Sequence, residues 1–159
     1  MTNPMDALLQ FQVTFEAGEI PVQPGRLDPT ILFVVDDPNG RPRFNYMRAE
    51  GKTLSVLVMF AQNGLRDGRP VFNIGYAVAE TYRGRGLAKS TLIGALAELS
   101  AGLGSAGVGA IQIEAVISPN NLASQAVACS IFDTAPIEIT DSDSGEPALY
   151  YSRAVVSGR

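Results

Sequence analysis

Apolar and polar residues alternate along the first half of the chain, which is typical of β-strands with one buried face. Within residues 6–16, the side chains of Leu9, Phe11, Val13 and Phe15 would share one face of a first strand. Residues 17–30 are interrupted by glycine and proline and are predicted to form a loop. Four further strands are predicted over residues 31–35, 43–48, 53–61 and 71–78.

Two turns are expected between these strands. Residues 36–40 end in Asn39-Gly40, a strong β-hairpin signal, because both residues readily adopt a positive φ. Residues 62–70 are mostly polar and are predicted to form the turn before the strand 71–78. The first half is therefore interpreted as mostly antiparallel β-structure.

From residue 87 the apolar residues recur at every third or fourth position, which predicts a helix over residues 87–103. The remaining elements are predicted as strand, helix, strand and strand over residues 110–117, 122–132, 137–140 and 148–155. No repeat, second core or long linker interrupts this order. The pattern predicts one α+β domain covering residues 1–159.

The composition excludes several classes of protein. The formal net charge of −4 argues against a nucleic-acid-binding surface. The chain has no histidine, which excludes Ser-His and Cys-His catalytic sites and argues against the usual zinc sites, so no metal site is expected. Its single cysteine, Cys129, fits a reducing compartment and is expected to be a small core residue. With neither a signal peptide nor a membrane-length apolar run in the sequence, a cytoplasmic protein is expected.

The candidate chemistry lies where the strand 71–78 passes through a glycine turn into the helix 87–103. The first amides of a helix have no partner within the helix, and the helix dipole adds positive charge there. Glycines let a ligand approach the backbone closely. This turn contains two glycines and three basic residues: Arg83, Gly84, Arg85, Gly86 and Lys89. The segment is therefore predicted to bind a phosphate-bearing ligand.

Three glycine motifs compete for this turn. The Walker motif ends in Lys89-Ser90, but Ala88 and Arg83 stand where it requires glycine. The dinucleotide fingerprint Gly-x-Gly-x-x-Gly fits Gly84 and Gly86 but has Lys89 at its third glycine position. A third pattern, [Gln/Arg]-x-x-Gly-x-[Gly/Ala], is satisfied by Arg83, Gly86 and Ala88 without a mismatch.

Preceded by Gly-Tyr-Ala-Val and followed by an apolar helix, this third pattern resembles the acyl-CoA-binding segment of the GNAT superfamily of N-acyltransferases. The resemblance covers about residues 71–132. It implies a GNAT-like α+β fold, whose central, mostly antiparallel mixed sheet is splayed at the acyl-CoA site and flanked by helices. The implied activity is transfer of an acetyl group from acetyl-CoA to a primary amine of a small molecule or protein by direct attack on the thioester.

The resemblance also implies which residues bind the cofactor. Backbone groups in the splayed strand would bond the pantetheine arm, the glycine turn would hold the pyrophosphate, and an Asn-x-x-Ser helix start would lie beside the pantetheine. A plain helix cap explains the last feature equally well. The implied cofactor-binding residues are Ala77, Val78, Arg83, Gly84, Arg85, Gly86, Leu87, Ala88, Lys89, Asn121 and Ser124.

The resemblance is weaker for the catalytic groups. Glu114 on the strand 110–117 is the candidate base, with Glu80 as a second candidate. Many members of the family have a tyrosine acid seven residues after the asparagine of the Asn-x-x-Ser motif. In this chain that position is Ala128 when counted from Asn121 and Val127 when counted from Asn120, and neither side chain can donate a proton. The substitute acids are Tyr150, Tyr151, Ser130 or a water molecule, and Tyr150 is the predicted acid. Both tyrosines can equally be sheet aromatics.

Two other functions stay open from the sequence. The missing helix tyrosine allows a catalytically inactive CoA-binding protein of the same fold that acts through a protein partner. A degenerate nucleotide-binding loop is the third reading, and it requires metal or ribose ligands that the sequence does not show. Residues 17–30 are too short for the two helices that usually wall the family's acceptor site, so the amine acceptor is not identified. The β-rich first half allows a homodimer.

Overall fold

The computed structural model describes residues 3–157. The helices are α1 (Pro4–Glu16), α2 (Leu87–Ser105) and α3 (Leu122–Ile131), and a 3-10 turn covers Glu80–Tyr82. The strands are β1 (Gln23–Pro24), β2 (Leu32–Asp36), β3 (Arg43–Glu50), β4 (Thr53–Arg66), β5 (Arg69–Val78), β6 (Ala110–Ile117), β7 (Ile137–Thr140) and β8 (Pro147–Val156). They form one sheet in the order β1-β2-β3-β4-β5-β6-β8-β7. The β5–β6 pair is parallel and the other pairs are antiparallel. The predicted α+β fold with a mostly antiparallel mixed sheet is confirmed.

The prediction of a first strand within residues 6–16 is wrong, because this segment forms α1. Asn3 caps the helix by accepting the amide of Met5 at 2.9 Å, and Pro4 occupies the first turn, where its missing N–H has no cost. The residues of α1 that pack against the sheet include Leu8, Phe11 and Phe15, which lie along one face of the helix. Leu9 and Val13, which completed the strand-like alternation, are 59% and 71% exposed.

The prediction of a turn over residues 62–70 is also wrong. β4 continues to Arg66 and β5 begins at Arg69, so the two strands project as a long hairpin with an irregular register between Gln62 and Leu65. Asp67 and Gly68 form its tip with φ values of 52° and 77°. This extended hairpin carries Arg66 to a site described below.

Two hydrophobic clusters cover opposite faces of the sheet. On one face α1 packs against β4 and β5, with Leu8, Met47, Leu57 and Met59 fully buried. On the other face α2 packs against β3, β4 and β5, and α3 packs beside α2 and β6. The larger cluster on this second face includes Phe60, Phe72, Leu92, Leu99, Ile111 and Ile113. No helix in the described part of the chain is long and apolar enough to span a membrane.

A buried carboxylate fastens the loop after α1 to α2. Glu98 of α2 accepts the backbone amides of Arg26, Leu27 and Asp28 at 2.9, 2.7 and 2.8 Å. A Cβ at Gly25 would lie 2.7 Å from Glu98 Oε1, so only glycine permits this approach. Residues 17–30 are a loop as predicted, apart from the two-residue strand β1.

Candidate functional site

The sheet opens between β5 and β6, as the resemblance implied. These strands pair over three residues only, from Val71↔Gln112 to Asn73↔Glu114. Beyond this point residues 74–78 of β5 and 115–117 of β6 diverge. The gap is a cleft of about 940 Å³, walled by the two strands, the glycine turn and the starts of α1, α2 and α3. A ligand in this cleft would lie between two strands whose facing backbone groups are not paired with each other.

Ten of the eleven residues predicted to bind the cofactor line this cleft. Arg85 does not, and its guanidinium lies over the ring of Tyr82, with 5.3 Å between Cζ and the ring centroid. The ten lining residues are Ala77, Val78, Arg83, Gly84, Gly86, Leu87, Ala88, Lys89, Asn121 and Ser124. The chain therefore brings them together, and their binding role stays a prediction.

Strand alternation decides which backbone groups of β5 face the cleft. The amide of Ala79 donates to Ser55 on the β4 side at 2.9 Å, and in an antiparallel pair this orientation recurs at every second residue. Ala77 therefore directs its N–H and C=O toward Leu57, whereas Tyr76 and Val78 direct theirs into the cleft. The Val78 carbonyl accepts Arg83 Nε at 3.1 Å. Of the two predicted backbone contacts, Val78 has the suitable orientation, whereas Ala77 lines the cleft with its backbone groups directed toward β4.

The glycine turn has the geometry of an anion site. Gly84 and Gly86 have φ values of 77° and 71°, which side chains rarely allow. Gly86 is the N-cap of α2 and offers no side-chain cap, so the first amides of this helix stay available. The first turn of α2 contains no acidic residue, and the exposed Lys89 lies within it. The helix dipole and this cation both favour a negatively charged ligand.

Tyr76 joins the opened strand to α3. Its hydroxyl donates to the backbone carbonyl of Ser124 at 2.7 Å, and the amide of Ser124 donates to the Asn121 cap at 3.0 Å. Burial raises the pKa of Tyr76 to about 12, although the bond to Ser124 acts in the opposite direction. The structure thus shows Asn121 as a helix cap and gives Tyr76 a role in fixing the distance between β5 and α3.

The two predicted catalytic residues are in contact. Glu114 on β6 is only 6% exposed, and its Oε1 accepts the hydroxyl of Tyr150 on β8 at 2.6 Å. Nη1 of Arg66 lies 2.6 Å from the same oxygen and donates to the Tyr150 hydroxyl oxygen at 2.9 Å. The Tyr150 hydrogen bond and the charge of Glu114 raise the pKa of Arg66. Neither Glu114 nor Tyr150 is among the residues that line the cleft, and Glu114 lies opposite Asn73 at the last paired position of β5 and β6. A carboxylate next to the point where the strands part is a candidate proton acceptor, and its catalytic role stays a prediction.

The alternative catalytic candidates lie in other surroundings. Tyr151 is buried against Phe132 in the core, as expected of a sheet aromatic. Ser130 donates its hydroxyl to the Val127 carbonyl at 2.6 Å, and Glu80 is exposed in the 3-10 turn. Val127 lines the cleft and Ala128 is buried, so neither supplies the family's tyrosine. Cys129 is exposed on α3, so the expectation of a core residue is wrong.

Several residues of the site were not predicted. Tyr76 belongs to the Gly-Tyr-Ala-Val segment, but the direction of its backbone groups follows from the pairing of β5 with β4, which the sequence alone does not give. The polar residues 62–70 predict a turn at Arg66, which lies instead at the end of β4, and no local pattern indicates an ion pair with a residue 48 positions later. The start of α1 was missed with the helix itself. Its Pro4 lies against Gly75 of β5, where a Cβ would come within 3.0 Å of Pro4 Cγ.

No protein-family model matches the chain, and no curated protein matches its sequence. Its fold is similar to that of solved GNAT-family acetyltransferases. A GnaT-family acetyltransferase from Bordetella pertussis aligns with a TM-score of 0.53 and 21% identity over 74% of this chain and 68% of that chain. A GNAT-family acetyltransferase from Streptococcus pneumoniae aligns with a TM-score of 0.55 and 9% identity over 71% of this chain and 66% of its own.

RimL, a ribosomal L7/L12 alpha-N-protein acetyltransferase solved with coenzyme A, aligns with a TM-score of 0.57 and 17% identity. The match covers 73% of this chain and 64% of RimL, so the chain spans just under two thirds of that protein's length. These alignments establish the GNAT-like fold.

Proposed function

We propose that this chain, which has the fold of GNAT-family acetyltransferases, transfers an acyl group from acyl-CoA to a primary amine. Acetyl-CoA is the donor we expect. The observation that carries the proposal is the cleft between β5 and β6, in which unpaired strand backbone continues into the glycine turn and the start of α2. One elongated ligand with an amide-containing arm and a pyrophosphate satisfies both parts of this cleft.

The residues fit coenzyme A piece by piece. The backbone groups of Tyr76 and the amide of Val78 would bond the pantetheine arm as an added strand does, whereas the Val78 carbonyl already accepts Arg83 Nε. The amides from Gly84 to Lys89 would hold the pyrophosphate, and Arg83 and Lys89 would add charge-assisted hydrogen bonds. An amide near Val78 would polarise the thioester carbonyl. Asn121 and Ser124 would form the opposite wall at the start of α3.

The reaction needs one proton acceptor and one proton donor. The amine nitrogen forms a bond to the thioester carbonyl carbon, and the carbon–sulfur bond breaks with its electron pair on sulfur. Glu114 would accept the proton that the amine loses, and Tyr150 would give its proton to the departing thiolate and regain one from Glu114. The 2.6 Å contact between Tyr150 and Glu114 supports this exchange. After these transfers Glu114 and Tyr150 have returned to their starting protonation states, and the proton lost by the amine is matched by the proton gained by the thiolate.

The acceptor is a primary amine whose larger structure is not defined by these residues. RimL is described as acting on the N-terminus of a ribosomal protein. A protein amine and a small-molecule amine are therefore the acceptor classes to compare. The net charge of −4 favours a cationic acceptor.

A second function is CoA binding without transfer, in which the chain acts through a protein partner. Val127 and Ala128 occupy the positions at which many members of the family place a tyrosine acid, and this observation favours the second function. Loss of this tyrosine would remove turnover and leave cofactor binding unchanged.

The test is calorimetric binding of acetyl-CoA, with ATP and NAD for comparison, followed by thiol release with a panel of amines and peptides. Gly86→Trp should abolish acetyl-CoA binding, because Gly86 has a φ of 71° and lines the cleft. Gly40→Trp is the matched control. Gly40 has a φ of 74°, its Cβ would also meet open space, and it lies in the β2–β3 connection.

Binding that Gly86→Trp abolishes and Gly40→Trp preserves, together with thiol release, supports the transferase. Binding without release from any acceptor supports the second function. A folded wild type that binds no acetyl-CoA overturns both, and preferred binding of ATP or NAD would favour a nucleotide site instead.

A further inference from the structure

The cleft between β5 and β6 has two different ends. At its outer end, Gly86 and Lys89 of the glycine turn are exposed to solvent. At its inner end, next to the paired part of the two strands, Ile74, Ala115 and Ile117 line the cleft and are 5%, 3% and 7% exposed. The cleft therefore runs from an open, basic surface into an enclosed space inside the sheet.

The enclosed end is apolar on the sides that β5, β6 and α3 contribute. Its lining side chains all belong to the larger hydrophobic cluster or pack against it, and together they are called the inner wall: Ile74, Tyr76, Ala115, Ile117 and Val127. Tyr76 has the one polar side chain of this set, and its hydroxyl already donates to the Ser124 carbonyl at 2.7 Å. The inner wall thus offers a ligand aliphatic and aromatic surface.

The charged side chains of the cleft lie at its other end. Among the lining residues that the structure describes, only Arg83 and Lys89 carry a charge, and both belong to the glycine turn and the first turn of α2. Arg83 is held at the Val78 carbonyl, and Ile74 lies four residues away on β5, about 13 Å along an extended strand. A carboxylate at the inner wall would be buried without a cationic partner, which is unfavourable.

The proposed pose of the cofactor directs its acyl group to the inner wall. With the pyrophosphate at the glycine turn and the pantetheine arm along β5, the thioester end of the ligand points toward the paired residues 71–73. Tyr76 is the innermost residue proposed to bond the arm, and Ile74 lies two residues deeper, about 7 Å along the strand. An acetyl group adds one carbon beyond the carbonyl, about 1.5 Å, and would leave most of this length unfilled.

We propose that the inner wall is an acyl-chain subsite, which favours an uncharged aliphatic acyl group longer than acetyl, such as butyryl. This inference rests on the proposed function and specifies its donor. Acetyl-CoA still binds, because the glycine turn and the strand backbone hold the coenzyme A part that all acyl-CoA donors share. The longer chain adds contact with apolar side chains and removes apolar surface from water.

The first measurement is binding, which does not require turnover. Calorimetry on the full chain compares CoA, acetyl-CoA, butyryl-CoA and succinyl-CoA. Each newly buried CH₂ group tightens binding about fourfold, so butyryl-CoA should bind about tenfold more tightly than acetyl-CoA. Succinyl-CoA has a chain of similar length that ends in a carboxylate, and it should bind at least about tenfold more weakly than butyryl-CoA.

Substitutions at Val127 change the size of the subsite in both directions. Val127→Phe should fill the inner end and reduce the ratio of the acetyl-CoA Kd to the butyryl-CoA Kd to about one or less. Val127→Ala should enlarge it and move the tightest binding to a longer chain, such as hexanoyl. Leu122→Phe is the control, because Leu122 lies on the same helix, is 73% exposed and does not line the cleft. Its ratio should match that of the wild type.

The outcomes separate this inference from the proposed function. Equal Kd values for acetyl-CoA and butyryl-CoA in the wild type, or tighter binding of succinyl-CoA, would overturn the acyl-chain subsite while leaving CoA binding in place. The same loss of chain-length preference in Val127→Phe and Leu122→Phe would overturn it as well. A folded wild type that binds neither CoA nor any acyl-CoA would instead refute the proposed function, and the subsite with it.

Discussion

The hydroxyl of Tyr150 donates to Oε1 of Glu114 at 2.6 Å, although the two residues are 36 positions apart. They are diagonal neighbours on adjacent antiparallel strands, since Glu114 lies opposite Ser152 and Val116 lies opposite Tyr150. Sheet register therefore builds the candidate acid–base pair, and no loop movement is needed to assemble it.

Replacing the base should separate chemistry from cofactor binding. Glu114→Gln is expected to lower kcat for thiol release by at least about 100-fold, the usual contribution of a general base. The calorimetric Kd for acetyl-CoA should stay within twofold. Glu80→Gln, which changes the exposed alternative candidate, should leave kcat within twofold. If Glu80→Gln lost activity and Glu114→Gln kept it, the base would be Glu80.

The two lysines of the chain offer a test of the anion site. Lys89→Gln should weaken acetyl-CoA binding about tenfold or more, because a hydrogen bond to a charged group contributes about 1.5–3 kcal/mol. The loss should shrink at high salt. Lys52→Gln, at the exposed turn between β3 and β4, should leave the Kd unchanged. If calorimetry gave Lys89→Gln and Lys52→Gln the same Kd for acetyl-CoA, the phosphates of the ligand would not bind at Lys89.

The contact of α1 with β5 depends on a missing side chain. In Gly75→Ala the new Cβ would lie 3.0 Å from Pro4 Cγ and 3.2 Å from Met59 Cε. The crowding should lower the free energy of unfolding by about 1–2 kcal/mol, measured with urea. Gly102→Ala meets nothing within 4 Å inside α2 and should instead add up to about 1 kcal/mol. If the two variants changed the free energy of unfolding equally, α1 would be able to move away from the new Cβ at no cost in stability.

Glu98 should be a strong determinant of stability. Its carboxylate accepts three backbone amides of the loop, and in Glu98→Gln an NH₂ group must face at least one of those donors. We expect a loss of about 2 kcal/mol in urea unfolding. Glu138→Gln, on the exposed edge strand β7, is the control and should change stability by less than about 0.5 kcal/mol. If Glu98→Gln left the free energy of unfolding unchanged, water would be forming the hydrogen bonds to the loop amides instead.

Tyr76 should make stability depend on alkaline pH. Its pKa is raised by burial from 10.0 to about 12 in the folded chain, so the folded state holds this proton more tightly than the unfolded state. Its contribution is therefore complete below pH 10 and is lost as the pH rises toward about 12. The stability difference between wild type and Tyr76→Phe should fall across this window in urea titrations. A constant difference would contradict the burial of its hydroxyl.

The sequence predicted the second half of the fold closely. Residues 110–117 and 137–140 form β6 and β7 with the expected bounds, because their apolar runs are bounded by glycine, proline and turn residues. α1 was missed because Leu9, Phe11, Val13 and Phe15 alternate, although only Phe11 and Phe15 pack against the core. An Asn followed by a Pro, here Asn3 and Pro4, is typical of the start of a helix, and this pair is stronger evidence than the alternation.

The candidate site was predictable only in part. The glycine turn is local, so the spacing of Arg83, Gly86 and Ala88 indicated its place. The choice between Ala77 and Tyr76 for the free backbone groups depends on the pairing phase with β4, which a single strand does not reveal. The partners of Glu114 are contributed by two other strands, so their convergence follows from sheet order rather than from any motif.

The short β5–β6 pairing has a consequence for the lifetime of the folded chain. Only three residue pairs directly join the two halves of the sheet, so local opening at this seam should expose amide hydrogens to exchange more readily than elsewhere in β5. A ligand that bridges the seam would suppress this opening and stabilise the native state by RT ln(1 + [L]/Kd). The persistence of the protein, and its resistance to proteolysis, would then follow the concentration of that ligand.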